Sequence, residues 1–307
     1  MQLSSEMNQM TKNNIKSIFT DSFPFIKSDK ELQALIKKYP KYDNYYIASG
    51  SIKARRNKFN ALYQQYYPYA DRHFLSEIKR KFHQRTWEMY LGCVLLNTNI
   101  GFSSKNKGPD ILIEYNGKKI WIECIACEKG DGIDRVPHMI YGKVQDIPEN
   151  EMLLRIAAAL KEKHYKYKKY VTEGTVKETD QFIVAVNTGA LNFLDSYFPL
   201  ILRCVFAIGY PTLSMPVGGG PTTSSFSKVS FIEKKNGTRI PMTFFLEKDY
   251  EGISAAFYCK NTVLNHSDVL GKDTILIYNP LAKNPLPNKL FDSFKSYKFD
   301  EKGNLYL

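Results

Sequence analysis

Gly108-Pro-Asp-Ile-Leu-Ile-Glu-Tyr-Asn-Gly-Lys-Lys-Ile-Trp-Ile-Glu-Cys124 reads as two short apolar strands joined by a two-residue turn. Asn116-Gly117 favours a type I′ turn, in which both central residues take positive φ. Such a turn sets Tyr115 opposite Lys118, and counting outward in that register sets Asp110 opposite Glu123. Strand alternation then divides the hairpin. Ile111, Ile113, Ile120, Ile122 and Cys124 form a uniformly apolar side that calls for a core, while Asp110, Leu112, Glu114, Lys119, Trp121 and Glu123 share the other. Opposed residues hold their Cβ atoms roughly 4.5 to 5.5 Å apart, and carboxylates that close repel unless a proton or cation lies between them. A hard divalent metal is the natural guest. Each acid alone is ordinary, an Asp after Pro at a strand start and a solvated strand Glu; the pairing is what points to function.

Outward from the hairpin, strand and helix patterns alternate. A glycine-containing loop, Glu128 to Ile147, leads to a helix expected from about Pro148 to Val171, with Pro148 in its first turn and Glu149 and Glu151 at its positive end. Gln181 to Val186 is a continuous apolar run, the pattern of a strand buried on both faces. Leu200 to Ile208 reads as another buried strand, and Pro211 to Ser227 as a loop. Val229 to Glu233 with Met242 to Leu246 suggests a second hairpin. Ile253 to Tyr258 and Thr274 to Tyr278 read as further strands. Upstream, Phe74 to Leu96 spaces apolar residues by three and four, as one long helix or two joined near Gln84. Residues 1–75 are Tyr- and Lys-rich with helical periodicity around Lys30 to Lys38 and Ser51 to Tyr67, which predicts a helical N-terminal arm packed on a main domain of residues 76–307. The alternation predicts an α/β fold, a sheet covered by helices.

The 307 residues, 43% hydrophobic, can bury a full core, and 43 Lys and Arg against 31 Asp and Glu give a net charge of +12. With a pI near 9.2, the expected partner is a polyanion, nucleic acid before an anionic membrane face. Five cysteines, Cys93, Cys124, Cys127, Cys204 and Cys259, lie mostly in apolar stretches, and their odd number argues against a disulfide framework. The N-terminus lacks a secretory pattern and no apolar run approaches a membrane span. A cytoplasmic protein with no membrane partner is the expectation.

The chain resembles the PD-(D/E)XK nuclease superfamily. The resemblance rests on Trp87-Glu88-Met89-Tyr90 in a helix, Gly108-Pro109-Asp110, and Trp121-Ile-Glu123 on the next strand, with Leu154-Arg155 through Lys163 and Tyr170 and then Phe182 to Asn187 following as a helix and strand. It covers roughly Glu77 to Asn187, with an echo at Asn279-Pro-Leu-Ala282. It implies a restriction-endonuclease-like three-layer core, a mixed central sheet flanked by helices, and a metal-dependent nuclease acting on DNA rather than RNA. Asp110 and Glu123 would hold Mg²⁺ or Mn²⁺, with the carbonyl of Ile125 or a nearby strand residue adding an oxygen. Glu88 would touch the metal's water shell or a second metal. The family's lysine two positions after the second acid is here Ile125. Either the chain is a catalytically silent nucleic-acid-binding module, or its lysine comes from another element. Lys163 is the candidate: Arg155, Ala159 and Lys163 lie on one helix stripe, and small Ala159 would let both cations reach past it toward the sheet. Lys129, on the loop, is an alternative, and a solvated cationic helix end is the plain reading of Lys163.

Arg155, Lys161, Lys166, His138 and Tyr141 are the expected nucleic-acid contacts, and basic runs at Lys53 to Arg56 and Lys79 to Lys81 near Tyr63, Tyr66 and Tyr67 would add more. A homodimer is compatible with this reading. Cys124-Ile-Ala-Cys127 has no second Cys/His pair nearby, which disfavours zinc and redox chemistry. Gly218-Gly-Gly220 lacks the Gly-Lys-Ser/Thr of a P-loop. A protein-interaction factor working through the tyrosine-rich arm is the third class, and it predicts no salt-dependent affinity for nucleic acid.

Overall fold

The computed structural model describes residues 16–104, 107–140, 142–193, 198–287, 289–299 and 305–306. Its hairpin is β1 (Ile111–Tyr115) and β2 (Lys118–Ala126), paired antiparallel with Tyr115 opposite Lys118 and Ile111 opposite Ile122. Asn116 and Gly117 take φ of 49° and 74°, as the type I′ turn requires. Next come β3 (Gln181–Asn187), β8 (Ala255–Cys259), β9 (Thr274–Tyr278), β10 (Lys295–Phe299) and β11 (Leu305–Tyr306), and the sheet runs in the order β1-β2-β3-β8-β9-β10-β11. β2, β3 and β8 are parallel, whereas β9 turns back against β8, so the sheet is mixed.

Helices cover both faces. α1 (Asp29–Lys38), α2 (Asn44–Ser51), α3 (Lys53–Tyr66), α4 (Phe74–Glu77) and α5 (Phe82–Asn97) precede the sheet; α6 (Glu149–Thr172) crosses from β2 to β3, and α7 (Leu200–Phe206) follows β3. Ile111, Ile113, Ile120, Ile122 and Cys124 join Leu91 and Val94 of α5 and Phe59, Tyr63 and Tyr66 of α3 in one core. Leu112 and Trp121 point the other way, into a second core with Leu153, Ile156 and Leu160 of α6. The result is a three-layer α/β architecture. The N-terminal helices are built into its first core, with Tyr63 and Tyr66 buried.

Several local readings change. Leu200–Phe206 is a helix, entered after Pro199 and stopped by Ala207 in the left-handed region; a short, wholly apolar run looks the same buried as strand or as helix. Residues expected as a loop form an antiparallel ribbon, β4 (Ile208–Ser214) with β5 (Thr223–Lys228), held by its ladder and little buried. β6 (Phe231–Glu233) pairs with β7 (Arg239–Pro241), while Phe244–Leu246 is a 3₁₀ turn. β10 was hidden by its lysines. Of the one long helix or two joined near Gln84 expected over Phe74 to Leu96, the structure has two, α4 and α5, with the break at Ile78 to Lys81 instead of near Gln84. No helix among the described residues is long and apolar enough to cross a membrane.

Candidate active site

β1 ends at Ile111 while β2 continues to Ala126, so the outer edge of β2 beyond Glu123 has no strand beside it. Side chains complete it. The Cys124 N–H donates to Asp110 Oδ2 at 2.7 Å; Gln84 Nε2 donates to the Cys124 carbonyl at 3.0 Å, and the Ala126 N–H donates to Gln84 Oε1 at 2.9 Å. Asp110 and Glu123 occupy the next positions outward from the Ile111–Ile122 pair. The Cys124 and Ala126 backbone groups face this edge; Ile125, the carbonyl expected from sequence, lies between them and so turns toward β3, because successive strand residues point their amides to opposite sides. Gln84 was missed because a glutamine inside an amphipathic helix carries no local signal of the strand it will complete.

Glu123 is 2% exposed and Lys163 4%. α6 runs back along β2 and brings Lys163 Nζ to 3.0 Å from Glu123 Oε1. Lys166 Nζ also lies 3.0 Å from Oε1, and the Tyr170 hydroxyl lies 3.2 Å from Oε2 and 3.3 Å from the Gly108 carbonyl. Three residues of one helix therefore converge on a single carboxylate. Burial, the largest single influence, lowers the Lys163 ammonium, but the Glu123 charge, the hydrogen bonds with Lys166 and Glu123 and the Asp110 charge together hold it above the ordinary lysine range. Lys163 stays protonated, a fixed charge rather than a base.

Asp110 is pushed well above the usual carboxylate range, first by burial and then by the charges of Glu123 and Glu88, against the opposing Cys124 N–H and Lys163. Glu88, 1% exposed, takes the Tyr66 hydroxyl on Oε1 and Arg85 Nη1 on Oε2, each at 2.7 Å. Arg85 also pairs with Asp71 and Glu77. Glu88 thus acts on Asp110 through its charge, with both of its oxygens already engaged. Burial raises it as well, although Arg85 and Tyr66 oppose that.

The remaining sequence candidates separate. Arg155 does not reach the acids as expected; its Nε donates to the Glu128 carbonyl at 2.7 Å and its guanidinium lies against Gly130. Lys166 sits at the acid pair. Lys161 is exposed with its ammonium over the Tyr165 ring. His138 is exposed, 3.3 Å from Lys129 Nζ, and Tyr141 lies outside the described residues. In the basic runs, Arg56 donates to the Phe23 carbonyl at 2.6 Å and Lys79 pairs with Asp21 at 2.9 Å. Buried Tyr63 and Tyr66 present no face to a base. Cys124 and Cys127 are buried thiols raised by burial, Cys127 to about 12, and therefore poor nucleophiles.

No cluster of three or more His, Cys, Asp or Glu side chains suited to a metal occurs among the described residues. A site for Mg²⁺ does not need one, since that ion commonly uses one or two carboxylates and keeps several waters. After burial, the charges of Glu123 and Glu88 raise Asp110, and a cation would relieve that repulsion; the two carboxylates are donors of the type a hard oxygen-seeking ion uses, although Glu123 already meets Lys163, Lys166 and Tyr170. Comparison with known proteins returns no match to any family model, curated protein or solved structure.

Proposed function

We propose that the chain is a metal-dependent nuclease of restriction-endonuclease-like fold that hydrolyses phosphodiester bonds of DNA, with Asp110 and Glu123 as its acids and Lys163 as a lysine supplied from α6. The observation carrying this reading is the meeting of Lys163 with Glu123 at 3.0 Å, beside an Asp110 whose carboxyl is raised by burial and then by the neighbouring acids. Mg²⁺ or Mn²⁺ held by Asp110 and Glu123 would supply Lewis-acid charge at the phosphoryl oxygens and a more acidic water.

The protein's own groups do the rest. Tyr170 and Lys166 fix the Glu123 carboxylate from two sides, so its position is set before substrate arrives. Lys163, protonated and nearly water-free, offers positive charge where a phosphodiester gains negative charge in the transition state. The Cys124 N–H anchors Asp110 through Oδ2.

Plasmid DNA incubated with Mg²⁺ or Mn²⁺ tests the proposal. Nicking by the wild type that disappears in Asp110→Ala and in Glu123→Ala supports it; intact plasmid across both metals, or nicking that survives both substitutions, overturns it. A second reading draws on the same carboxylate. Glu123 already holds two ammonium groups and a phenol, an arrangement suited to a silent nucleic-acid-binding module, which would bind DNA in a salt-dependent way and cut nothing.

A further inference from the structure

The loop that leaves β2 closes on itself over Lys129 to Val136, where the Val136 N–H donates to the Lys129 carbonyl at 2.9 Å. Gly130 and Gly132 take φ of 74°, which lets so short a loop turn. The loop lines an open hollow of about 290 Å³ onto which half-buried Lys129 and exposed Arg135 and His138 all face. Lys129 Nζ stands 3.3 Å from His138 Nδ1 and 3.5 Å from the Pro137 carbonyl. Glu128 and Asp131 also line the pocket, yet neither forms an ion pair with Lys129 or Arg135 among the described residues. Half-buried Lys129 has no ion-pair partner among the described residues and Arg135 faces the same pocket, so an anion between the two would serve both. Burial, and after it the charge of Arg135, already lowers the Lys129 ammonium from its ordinary value.

A second groove, also of about 290 Å³, links this pocket to the acids. It runs from Lys163 over the small side chains of Ala126, Ala158 and Ala159 to Arg155 and Glu128. Lys163 and Arg155 are two helical turns apart, roughly 12 Å along α6. Arg155 lies against Gly130 at the junction of the two hollows.

We infer that Lys129, Arg135 and His138 form a second phosphate site, which grips a single nucleic-acid strand a few nucleotides from the bond lying at Glu123 and Lys163. The phosphate site stands on its own geometry; the distance to a cut bond rests on the nuclease reading.

The test is anisotropy of a fluorescein-labelled single-stranded DNA oligonucleotide in EDTA, where no cleavage intervenes. Three proteins are compared: wild type, Lys129→Ala/Arg135→Ala, and the charge-keeping Lys129→Arg/Arg135→Lys. The alanine pair is expected to bind about tenfold or more weakly, with the slope of log K against log[salt] shallower by about 1 to 1.5, while the charge-keeping pair stays near wild type. Inorganic phosphate should shift the His138 ring resonance in the wild type and not in the alanine pair. Oligonucleotides with a 5′ phosphate, a 3′ phosphate or none separate an end-binding site from one that takes internal phosphates. Unchanged affinity and slope in the alanine pair, or equal loss in the charge-keeping pair, overturns the inference. Metal-dependent nicking with pocket-independent binding would sink only this site; pocket-dependent binding without any nicking would sink only the nuclease reading.

Discussion

Lys163 and Glu123 are 40 positions apart in sequence and 3.0 Å apart in space, and both are buried. Such a pair is costly to desolvate and costly to break, because the remaining charge is left buried. Lys163→Met keeps the volume and removes the charge. Stability should fall by about 1–3 kcal/mol, less than for an isolated buried pair, since Lys166 and Tyr170 still serve Glu123. Nicking should fall by roughly 10²-fold or more. Urea denaturation and initial rates on plasmid check the two numbers; wild-type rates in Lys163→Met would remove it from the chemistry.

Asp110 gives a prediction in which function and stability oppose one another. Its carboxyl binds a proton more tightly in the fold than at the ordinary value of 3.8 in the unfolded chain. Between 3.8 and the raised value the folded state holds more protons, so stability declines as pH rises through that window. Asp110→Asn removes the titration, keeps an oxygen for the Cys124 N–H, and should flatten this decline. The variant is expected to be more stable than wild type at neutral pH without metal, while Mn²⁺ should raise the melting temperature of the wild type alone. Melting curves at several pH values, with and without Mn²⁺, decide it.

Much of this was legible in the sequence because the hairpin is local. Asn116-Gly117 fixes the register, and a period of two residues then assigns every side chain to a face as far as Ile111 and Ile122, one step short of Asp110 and Glu123. Lys163 was legible as one of a stripe, since helical spacing is also local. What was not legible depends on distance: Arg155 shares that stripe yet turns to Glu128, because the loop after β2 comes within its reach. Glu88 meets Arg85 three residues back on α5, a spacing the sequence carries, but its Tyr66 partner on α3 and the Gln84 partners on β2 are announced by no spacing within α5. The ribbon of β4 and β5 carries Ser, Thr, Gly and Pro, the residues of a loop, and is a strand pair only through its ladder.

His83 is expected to make the protein acid-sensitive. Burial lowers its imidazole to about 4, with the Glu128 charge opposing, and Nε2 is buried without a hydrogen bond among the described residues. The unfolded chain takes the proton near 6.5 and the fold only near 4. Stability from this group is therefore complete above about 6.5 and is lost as pH falls toward 4. His83→Gln should reduce the drop over that interval in urea midpoints; a wild-type pH profile in the variant would rule His83 out as its source.

Gln84 ties the strand edge to the acids, so its loss should be felt by a cation that never touches it. In Gln84→Ala the Cys124 carbonyl and the Ala126 N–H lose their partners at a partly buried edge, a cost of about 1–3 kcal/mol where water cannot replace them. Glu123 immediately precedes Cys124, and Asp110 is anchored on the Cys124 N–H, so loosening that residue loosens both carboxylates together. Mn²⁺ affinity, read by the paramagnetic signal of the free ion, should weaken several-fold. Gln84→Glu provides the contrast. It retains an acceptor for Ala126 but presents an oxygen to the Cys124 carbonyl, so it should restore little of the stability. An alanine variant that is destabilised yet binds Mn²⁺ as wild type does would show that the edge and the acids are mechanically separate.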